Sequence, residues 1–457
     1  MLSTKKHLSE AIHLLAIAWP LILNNLFNIG VNVADTIMAG RLGATQLAAV
    51  ALGSSIWITL FLAGLGVVMA LGPIVAQHTG AGRKQEIGRD TRQCMLLATL
   101  ISIVVAALLQ NAEPVMLSMN IEPTVAILAQ GYLSAISWGV LGCYWYHALR
   151  QMNEGIGRTV PIMIIMGASL PINLGLNYVF MYGKLGSAPL GAVGAGLGSG
   201  WTFWIMFLFI ALYTSRARIY QQYEIWGVIE RPNWPAIKHI LVVGLPIGGS
   251  FMLQAGLFTT VALMMGSFGT VVVAAHAVTL NYASLVFMVP LGIGMATTSL
   301  VGQAIGRADL LVARRIGYLG IGLCFVTMCL TAVFTVTFST TIASLYSSDS
   351  AVIELAASLL VIAAIMQLGD GTQVTAAGAL RGLKDTRVPL LINAFVYWGI
   401  GFTVALVFGV HLGYGAIGVW LGLCCCLWAA AVLLSVRFSI VMRAVITAAE
   451  HDGREHA

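Results

Sequence analysis

The chain has 457 residues, of which 59% are hydrophobic and only 9% are charged, whereas a soluble domain carries about 25% charged residues. No water-soluble core could bury so large an apolar fraction, so the composition excludes a soluble globular protein and makes lipid the solvent for much of the chain. The net charge of +6 would suit a nucleic-acid partner, but the distribution of the basic residues favours a membrane protein.

Apolar runs long enough to cross a membrane recur along the whole chain. Their length and their content of Gly, Leu and Ala predict helices instead of barrel strands, because a helix satisfies its own backbone hydrogen bonds in lipid. We therefore predict an all-α integral membrane protein with twelve transmembrane helices. The predicted spans are 11–34, 46–76, 93–111, 125–149, 160–181, 190–213, 240–262, 271–302, 316–338, 351–378, 388–409 and 413–436.

The basic residues predict the orientation of these spans. Lys5 and Lys6 precede the first span without a cleavable signal pattern, so this span is interpreted as an uncleaved anchor. Of the 23 lysines and arginines, only Arg41 and Lys184 fall on the opposite side of the predicted membrane from the others. Arg150, for example, is placed in the loop after the fourth span. By the positive-inside rule, both termini are predicted to be cytoplasmic.

The two halves of the chain are related by an internal duplication. Residues 18–80 align without a gap with residues 244–306. Each repeat holds six predicted spans, so we expect two six-helix lobes related by a pseudo-twofold axis along the membrane normal, with a site between them. The predicted domains are the N-lobe 1–213, a cytoplasmic linker 214–239, the C-lobe 240–437 and a cytoplasmic tail 438–457, of which residues 450–457 are expected to be disordered.

Pro20 and Pro246 occupy equivalent positions in the first and seventh spans. A proline inside a helix removes one backbone hydrogen bond and permits a bend. Two interpretations remain open, namely a static kink and a helix that bends during a transport cycle.

Two acidic residues break the symmetry of the duplication. Of the 17 carboxylates, only Asp35 and Asp370 fall well inside predicted spans, and their aligned partners are Val261 and Gly142. An ionised Asp at bilayer depth costs about 2.5–3.5 kcal/mol on insertion scales. A transported ion or proton is the usual reason for such a residue, and a structural Asp hydrogen-bonded between helices is the alternative.

Polar residues in the fifth and sixth spans could accompany Asp35. Asn173 and Asn177 lie one helical turn apart and share a helix face, and Ser199 adds a hydroxyl. One carboxylate with amide and hydroxyl oxygens would suit a shared proton or a hard monovalent cation, so Na⁺ at Asp35, Asn173 and Asn177 is a candidate metal site. Hydrogen bonding between helices is the alternative for the two asparagines.

The candidates for a cavity in the C-lobe are Asp370, Gln254, His276, Tyr282 and Phe287. Gln254 can form hydrogen bonds but cannot titrate. His276 is either a proton-binding group or, as we favour, a packing residue. Tyr282 and Phe287 could line a pocket for greasy cations, although aromatic residues in a membrane core are more often packing residues.

Enzyme signatures are absent from the sequence, which has no Walker A loop, HExxH or GxSxG. The glycines in 191–200 lie inside a predicted span, where the pairs Gly194/Gly198 and Gly196/Gly200 indicate close helix packing. We therefore predict a carrier without a cofactor, driven by an ion gradient. A lipid-linked precursor flippase is disfavoured because no Arg or Lys is placed clearly mid-span, and an intramembrane enzyme or a channel is a rival of another class.

Three runs of the sequence resemble the multidrug and toxic compound extrusion (MATE) family, in its bacterial NorM-type branch. They are VADTIMAGRLG at 33–43, AAH at 274–276 and GALRGLKDT at 378–386, and the likeness covers nearly the whole chain. The resemblance implies two six-helix lobes in a V and a multidrug efflux antiporter that exchanges amphipathic organic cations for H⁺ or Na⁺.

The resemblance also implies roles for individual residues. The matching positions are the coupling carboxylate Asp35, its polar partners Asn173, Asn177 and Ser199, and the acidic residue of the C-lobe cavity, Asp370. Gln254 departs from the family, where Glu is usual, so we expect coupling mainly through the N-lobe. The implied partners are small amphipathic organic cations and membrane lipid, with no nucleic acid, for a monomer in a bacterial inner membrane.

Overall fold

The computed structural model describes residues 2–186, 188–227 and 230–455, and none of these residues lies in a β-strand. Two segments of the eleventh predicted span are π-helical, π1 (Phe395–Gly401) and π2 (Ala405–His411). The α-helices are α1 (Leu2–Gly40), α2 (Ala44–Val68), α3 (Leu71–Gly80), α4 (Lys84–Gln110), α5 (Glu113–Ser118), α6 (Pro123–Ser137), α7 (Val140–Gly155), α8 (Val160–Tyr182), α9 (Ala192–Arg216), α10 (Arg218–Gln221), α11 (Trp234–Gly266), α12 (Thr270–Gly306), α13 (Leu310–Thr337), α14 (Ser339–Tyr346), α15 (Ser350–Gly382), α16 (Arg387–Ala394), α17 (Phe402–Val404) and α18 (Gly415–Glu455).

The number of membrane spans agrees with the prediction. Within the described ranges, 11 helical segments are long and apolar enough to cross a membrane, and α6 with α7 makes a twelfth when this pair, bent by 50°, is counted as one span. The predicted all-α integral membrane fold with twelve transmembrane helices is therefore confirmed.

Equivalent glycines turn the chain after the first span of each repeat. Gly43 precedes α2 with φ 114°, and Gly269 precedes α12 with φ 106°. Glycine adopts these positive φ values without the steric penalty of a side chain. The duplication thus preserves the backbone geometry of this turn.

Both predicted prolines lie inside continuous helices. α1 continues through Pro20 and α11 continues through Pro246. Further prolines, Pro171 and Pro290, lie inside α8 and α12. Motion at these positions stays a prediction.

The chain forms two compact units, one of which is Leu23–Gly248. Inside this unit, glycines of α9 bring neighbouring helices into backbone contact. A Cβ atom at Gly194 would collide with the backbone of Phe180 in α8, and one at Gly196 would collide with the carbonyl of Tyr132 in α6. The predicted close helix packing at these glycines is confirmed.

The other unit contains the described residues before Leu23 and after Gly248. Leu14 and Leu21 of α1 belong to an apolar cluster with Ile293 of α12 and Phe438 of α18. These contacts assign the first half of α1 to the unit that holds the second repeat, whereas the predicted lobes follow the duplication. A second apolar cluster of this unit joins α11, α12, α15 and α18.

The structure corrects the predicted C-terminal tail. The expectation of disorder from Glu450 onward is wrong as far as Glu455, because α18 continues to that residue. The run Ala444–Glu450 is rich in Ala, a strong helix former, and propagation adds one hydrogen bond per residue. Residues 456–457 of the tail and 228–229 of the linker lie outside the described residues, and the linker includes the short helix α10.

Candidate functional site

Three helices of the unit Leu23–Gly248 converge on the carboxyl of Asp35. This partly buried residue lies near the end of α1. The Nδ2 group of Asn177 in α8 donates a hydrogen bond to its Oδ1 at 2.5 Å, and the hydroxyl of Ser199 in α9 donates to its Oδ2 at 3.5 Å. The chain thus brings together residues that are far apart in sequence around one carboxyl.

The two asparagines form a hydrogen-bonded pair beside this carboxyl. Both side chains are fully buried, and Nδ2 of Asn177 also donates to Oδ1 of Asn173 at 3.1 Å. In the part of the chain that the structure describes, Nδ2 of Asn173 and Oδ1 of Asn177 have no hydrogen-bond partner. A buried polar atom left unsatisfied costs about 1–3 kcal/mol, so the group retains unused hydrogen-bonding capacity.

The geometry of this cluster is compatible with both earlier interpretations. The same bonds that surround the carboxyl also join α1 to α8 and α9. All the predicted N-lobe residues, Asp35, Asn173, Asn177 and Ser199, are brought together. Their role in binding an ion stays a prediction.

A second polar group lies on α15, inside the other unit. Asp370 is 7% exposed, and its Oδ1 atom has no hydrogen-bond partner among the described residues. Gln367 and Gln373 lie three positions to either side, so they flank Asp370 on one helix face. Nε2 of Gln373 donates to the hydroxyl of Tyr397 in π1 at 2.6 Å.

The remaining C-lobe candidates have other surroundings. The ring of His276 lies edge-on to Trp420, with centroids 5.7 Å apart, and the hydroxyl of Tyr282 is hydrogen-bonded to that of Thr335 at 2.8 Å. These contacts favour the packing interpretation for both residues. Gln254 and Phe287 are partly buried in α11 and α12.

Gln367, Gln373 and Tyr397 are absent from the residues predicted for this site. The three-residue spacing of Gln367, Asp370 and Gln373 in an apolar run is a signal that could have indicated both glutamines. Tyr397 carries no such signal, because its contact with Gln373 depends on how π1 is placed beside α15.

The predicted placement of Arg150 in a loop after the fourth span is wrong. α7 continues to Gly155, and Arg150 is 6% exposed. Its Nε donates to Oε1 of Glu154 at 2.7 Å, and its Nη2 donates to Oδ1 of Asn25 in α1 at 3.5 Å. A charge one turn from an opposite charge can stay buried inside a helix, whereas hydropathy alone counts both as loop residues.

Comparison with known families agrees with the repeat and the fold. A family model described as MatE matches residues 20–179 and again residues 246–407. The multidrug resistance protein MdtK of Yersinia enterocolitica is 38% identical over 438 residues, which cover 95% of this chain and 96% of that protein. MdtK of Yersinia pestis strain Pestoides F has the same identity and coverage.

Solved structures share the same architecture. The eukaryotic MATE transporter AtDTX14 superposes with a TM-score of 0.87 at 19% identity, covering 96% of this chain and 98% of that one. The D35N mutant of the Vibrio cholerae MATE transporter VcmN superposes with a TM-score of 0.86 at 19% identity and the same coverage. At these identities the solved structures establish the fold alone. The family model matches the chain twice, and the relatives cover nearly its full length. The chain therefore belongs to the MatE family, whose members are transporters and not enzymes.

Proposed function

We propose that this chain is a multidrug efflux antiporter that exports amphipathic, mostly cationic organic compounds in exchange for H⁺ or Na⁺. The observation that carries the proposal is the carboxyl of Asp35 inside a membrane-spanning helix, bonded to Asn177 and Ser199 of two other helices. The relatives named multidrug resistance protein support the choice of cargo.

The coupling step follows from the charge of Asp35. The ionised carboxylate accepts hydrogen bonds from Asn177 and Ser199, and such bonds favour its charged form. A proton or Na⁺ that arrives from the outer side neutralises the carboxylate and weakens these bonds. α1 is then free to shift against α8 and α9, and the drug leaves outward. The return conformation releases the ion to the cytoplasm.

Asp370 supplies the negative charge for a cationic cargo. Its carboxyl is buried with one oxygen unpartnered in the described part of the chain, and an unpaired acid in a membrane interior attracts an opposite charge. Gln367 and Gln373 add amide groups on the same helix face. Gln254 does not titrate, so proton or Na⁺ coupling is assigned mainly to Asp35.

The proposed setting is a bacterial inner membrane, with both termini in the cytoplasm and the chain working as a monomer. The positive-inside distribution of Lys and Arg supports this orientation. Arg150 is a buried cation, but its pairing with Glu154 leaves no free positive charge for a phosphate-bearing lipid. The flippase alternative therefore gains no support from it.

The test is ethidium uptake into inverted membrane vesicles, whose cytoplasmic face points outward, with a proton gradient and a Na⁺ gradient imposed separately. Wild-type protein is expected to move ethidium with at least one gradient, and Asp35→Asn is expected to abolish gradient-driven movement. Asp349→Asn is the matched control, because Asp349 is an exposed N-terminal cap of α15 and Asn caps a helix equally well. Full activity of Asp35→Asn at normal expression would remove Asp35 from the mechanism.

A further inference from the structure

We propose that Gly198 is a positioning residue of the ion site, which holds the carboxamide of Asn177 against the carboxyl of Asp35. The inference rests on the proposed function, since it concerns the same carboxyl. Gly198 has no side-chain atoms that could bind an ion. It contributes the space that a Cβ atom would otherwise fill.

The space next to Gly198 is occupied by the carboxamide of Asn177. A Cβ atom built on Gly198 would collide with Oδ1 of Asn177 and would lie 3.2 Å from its Cγ and 3.3 Å from its backbone nitrogen. Asn177 is fully buried, so its carboxamide has no solvent-filled space into which it can turn. Any other residue at position 198 must therefore move Asn177.

The orientation of this carboxamide determines which of its atoms contacts Asp35. Oδ1 of Asn177 lies against Gly198 and has no hydrogen-bond partner in the described ranges. Nδ2 consequently faces away from Gly198 and donates to Asp35 at 2.5 Å and to Asn173 at 3.1 Å. A side chain at position 198 would displace both bonds at once.

Other glycines of α9 have different neighbours. Gly194 lies against the backbone of Phe180, and Gly200 faces the side chain of Trp138, whose Nε1 would lie 2.6 Å from a Cβ atom. Trp138 is 42% exposed and can move. Gly200→Ala is therefore a matched substitution on the same helix that does not touch the ion site.

The groups around Asp35 allow its protonation to be measured against pH without interference from a neighbouring titration. On α8 and α9 it meets the side chains of Asn177 and Ser199, which do not titrate. On α6 it interacts electrostatically with Tyr132, and a tyrosine ordinarily titrates near pH ~10. A profile recorded between about pH 5 and 9 therefore reports on Asp35.

The first experiment measures the protonation of Asp35 without transport. Carbodiimide labels protonated carboxyls, so the labelling of Asp35 in purified protein is followed against pH by mass spectrometry, with Asp35→Asn as the blank. Gly198→Ala is expected to move the labelling midpoint upward by about one pH unit, because the ionised carboxylate loses a hydrogen bond that favours it. Gly200→Ala is expected to leave the midpoint unchanged.

A double-mutant cycle separates positioning from general packing. If Gly198 acts through Asn177, Asn177→Ala with Gly198→Ala has the same midpoint as Asn177→Ala alone, because the collision is gone. If Gly198→Ala alone does not fold, the comparison of this double variant with Asn177→Ala still tests the proposal. An unchanged midpoint in Gly198→Ala, or an equal further shift in the Asn177→Ala background, would overturn the proposal.

Ethidium efflux in vesicles then distinguishes this inference from the proposed function. A failure of wild-type protein to use either gradient would defeat the antiport proposal, while the labelling result would still decide the role of Gly198. If wild-type protein transports, the pH for half-maximal efflux by Gly198→Ala is expected to shift in parallel with labelling.

Discussion

Asn177 and Asp35 lie on α8 and α1, and a hydrogen bond of 2.5 Å from Nδ2 to Oδ1 joins them inside one compact unit. The same Nδ2 group also binds the oxygen of Asn173. Asn177 is therefore the closer hydrogen-bond partner of the carboxyl, and its Nδ2 group joins that carboxyl to Asn173.

This arrangement predicts unequal effects for the two asparagines. Asn177→Ala removes a hydrogen bond to a charged group, a contribution of about 1.5–3 kcal/mol, so ion-coupled ethidium efflux should fall at least tenfold. Asn173→Ala removes one amide–amide bond and should reduce efflux about fivefold or less. The comparison is made in vesicles with matched protein amounts. Equal losses in the two variants would contradict the bridging role of Asn177.

Tyr397 is expected to affect substrate binding through Gln373. In Tyr397→Phe, the buried Nε2 of Gln373 loses its 2.6 Å acceptor beside Asp370, and one such bond is worth about 1 kcal/mol. The ethidium concentration for half-maximal efflux should rise about fivefold. Tyr282→Phe is the control, since its hydroxyl bonds to Thr335. A similar rise in both variants would indicate a general loss of packing.

The ion pair between Arg150 and Glu154 is expected to affect the free energy of unfolding when one partner is removed. Both side chains are at least nine-tenths buried and their contact is 2.7 Å. Glu154→Gln leaves a buried guanidinium without its counter-charge, which should destabilise the protein by about 3–5 kcal/mol. Thermal unfolding in detergent is the measurement. The double variant Arg150→Met with Glu154→Leu should regain much of the loss, because it removes both charges. A single variant that unfolds at the wild-type temperature would refute the prediction.

The linker segment around Glu230 is expected to detach from α4 at low pH. Nη2 of Arg92 in α4 donates to Oε1 of Glu230 at 2.5 Å, and this bond holds the pKa of Glu230 below its ordinary value. Because the folded-state pKa of Glu230 is lowered, the contact stabilises the docking of the linker on α4 above the usual titration range of Glu, near pH ~4.3. This contribution is lost as the pH falls through the folded-state pKa. The protection of residues 223–227 against hydrogen exchange, measured relative to the intrinsic exchange rate at each pH, should therefore fall in acid.

The same contact can be broken at neutral pH. At pH 7, Arg92→Gln should lower the protection of residues 223–227 to the level that wild-type protein shows in acid. Arg83→Gln is the matched control, because Arg83 lies at the start of the same helix and meets Glu86 at 3.6 Å instead of the linker. Undiminished protection in Arg92→Gln at neutral pH would show that other contacts hold the linker.

The predicted spans and the actual helices agree because a membrane-spanning segment needs apolar side chains, which hydropathy measures. Such a segment also needs a backbone whose hydrogen bonds are all made internally, which a helix provides. The same criterion misplaced Arg150, because hydropathy scores each charge alone and cannot recognise that Glu154 one turn later offsets it. The end of α18 shows the converse error, in which polar composition was equated with disorder although the helix continues to Glu455.

Two acids in apolar spans and two asparagines one turn apart indicated the candidate residues, because those properties are local or follow from helical periodicity. That the candidates of the first half act together was implied by the resemblance to the MATE family. Tertiary structure decided that Asn177 is the direct partner of Asp35, that Gly198 borders its carboxamide, and that Tyr397 meets Gln373. A hydrogen bond between helices depends on the rotation and depth of each helix, and these are set by how whole surfaces fit together, which no single segment of sequence encodes.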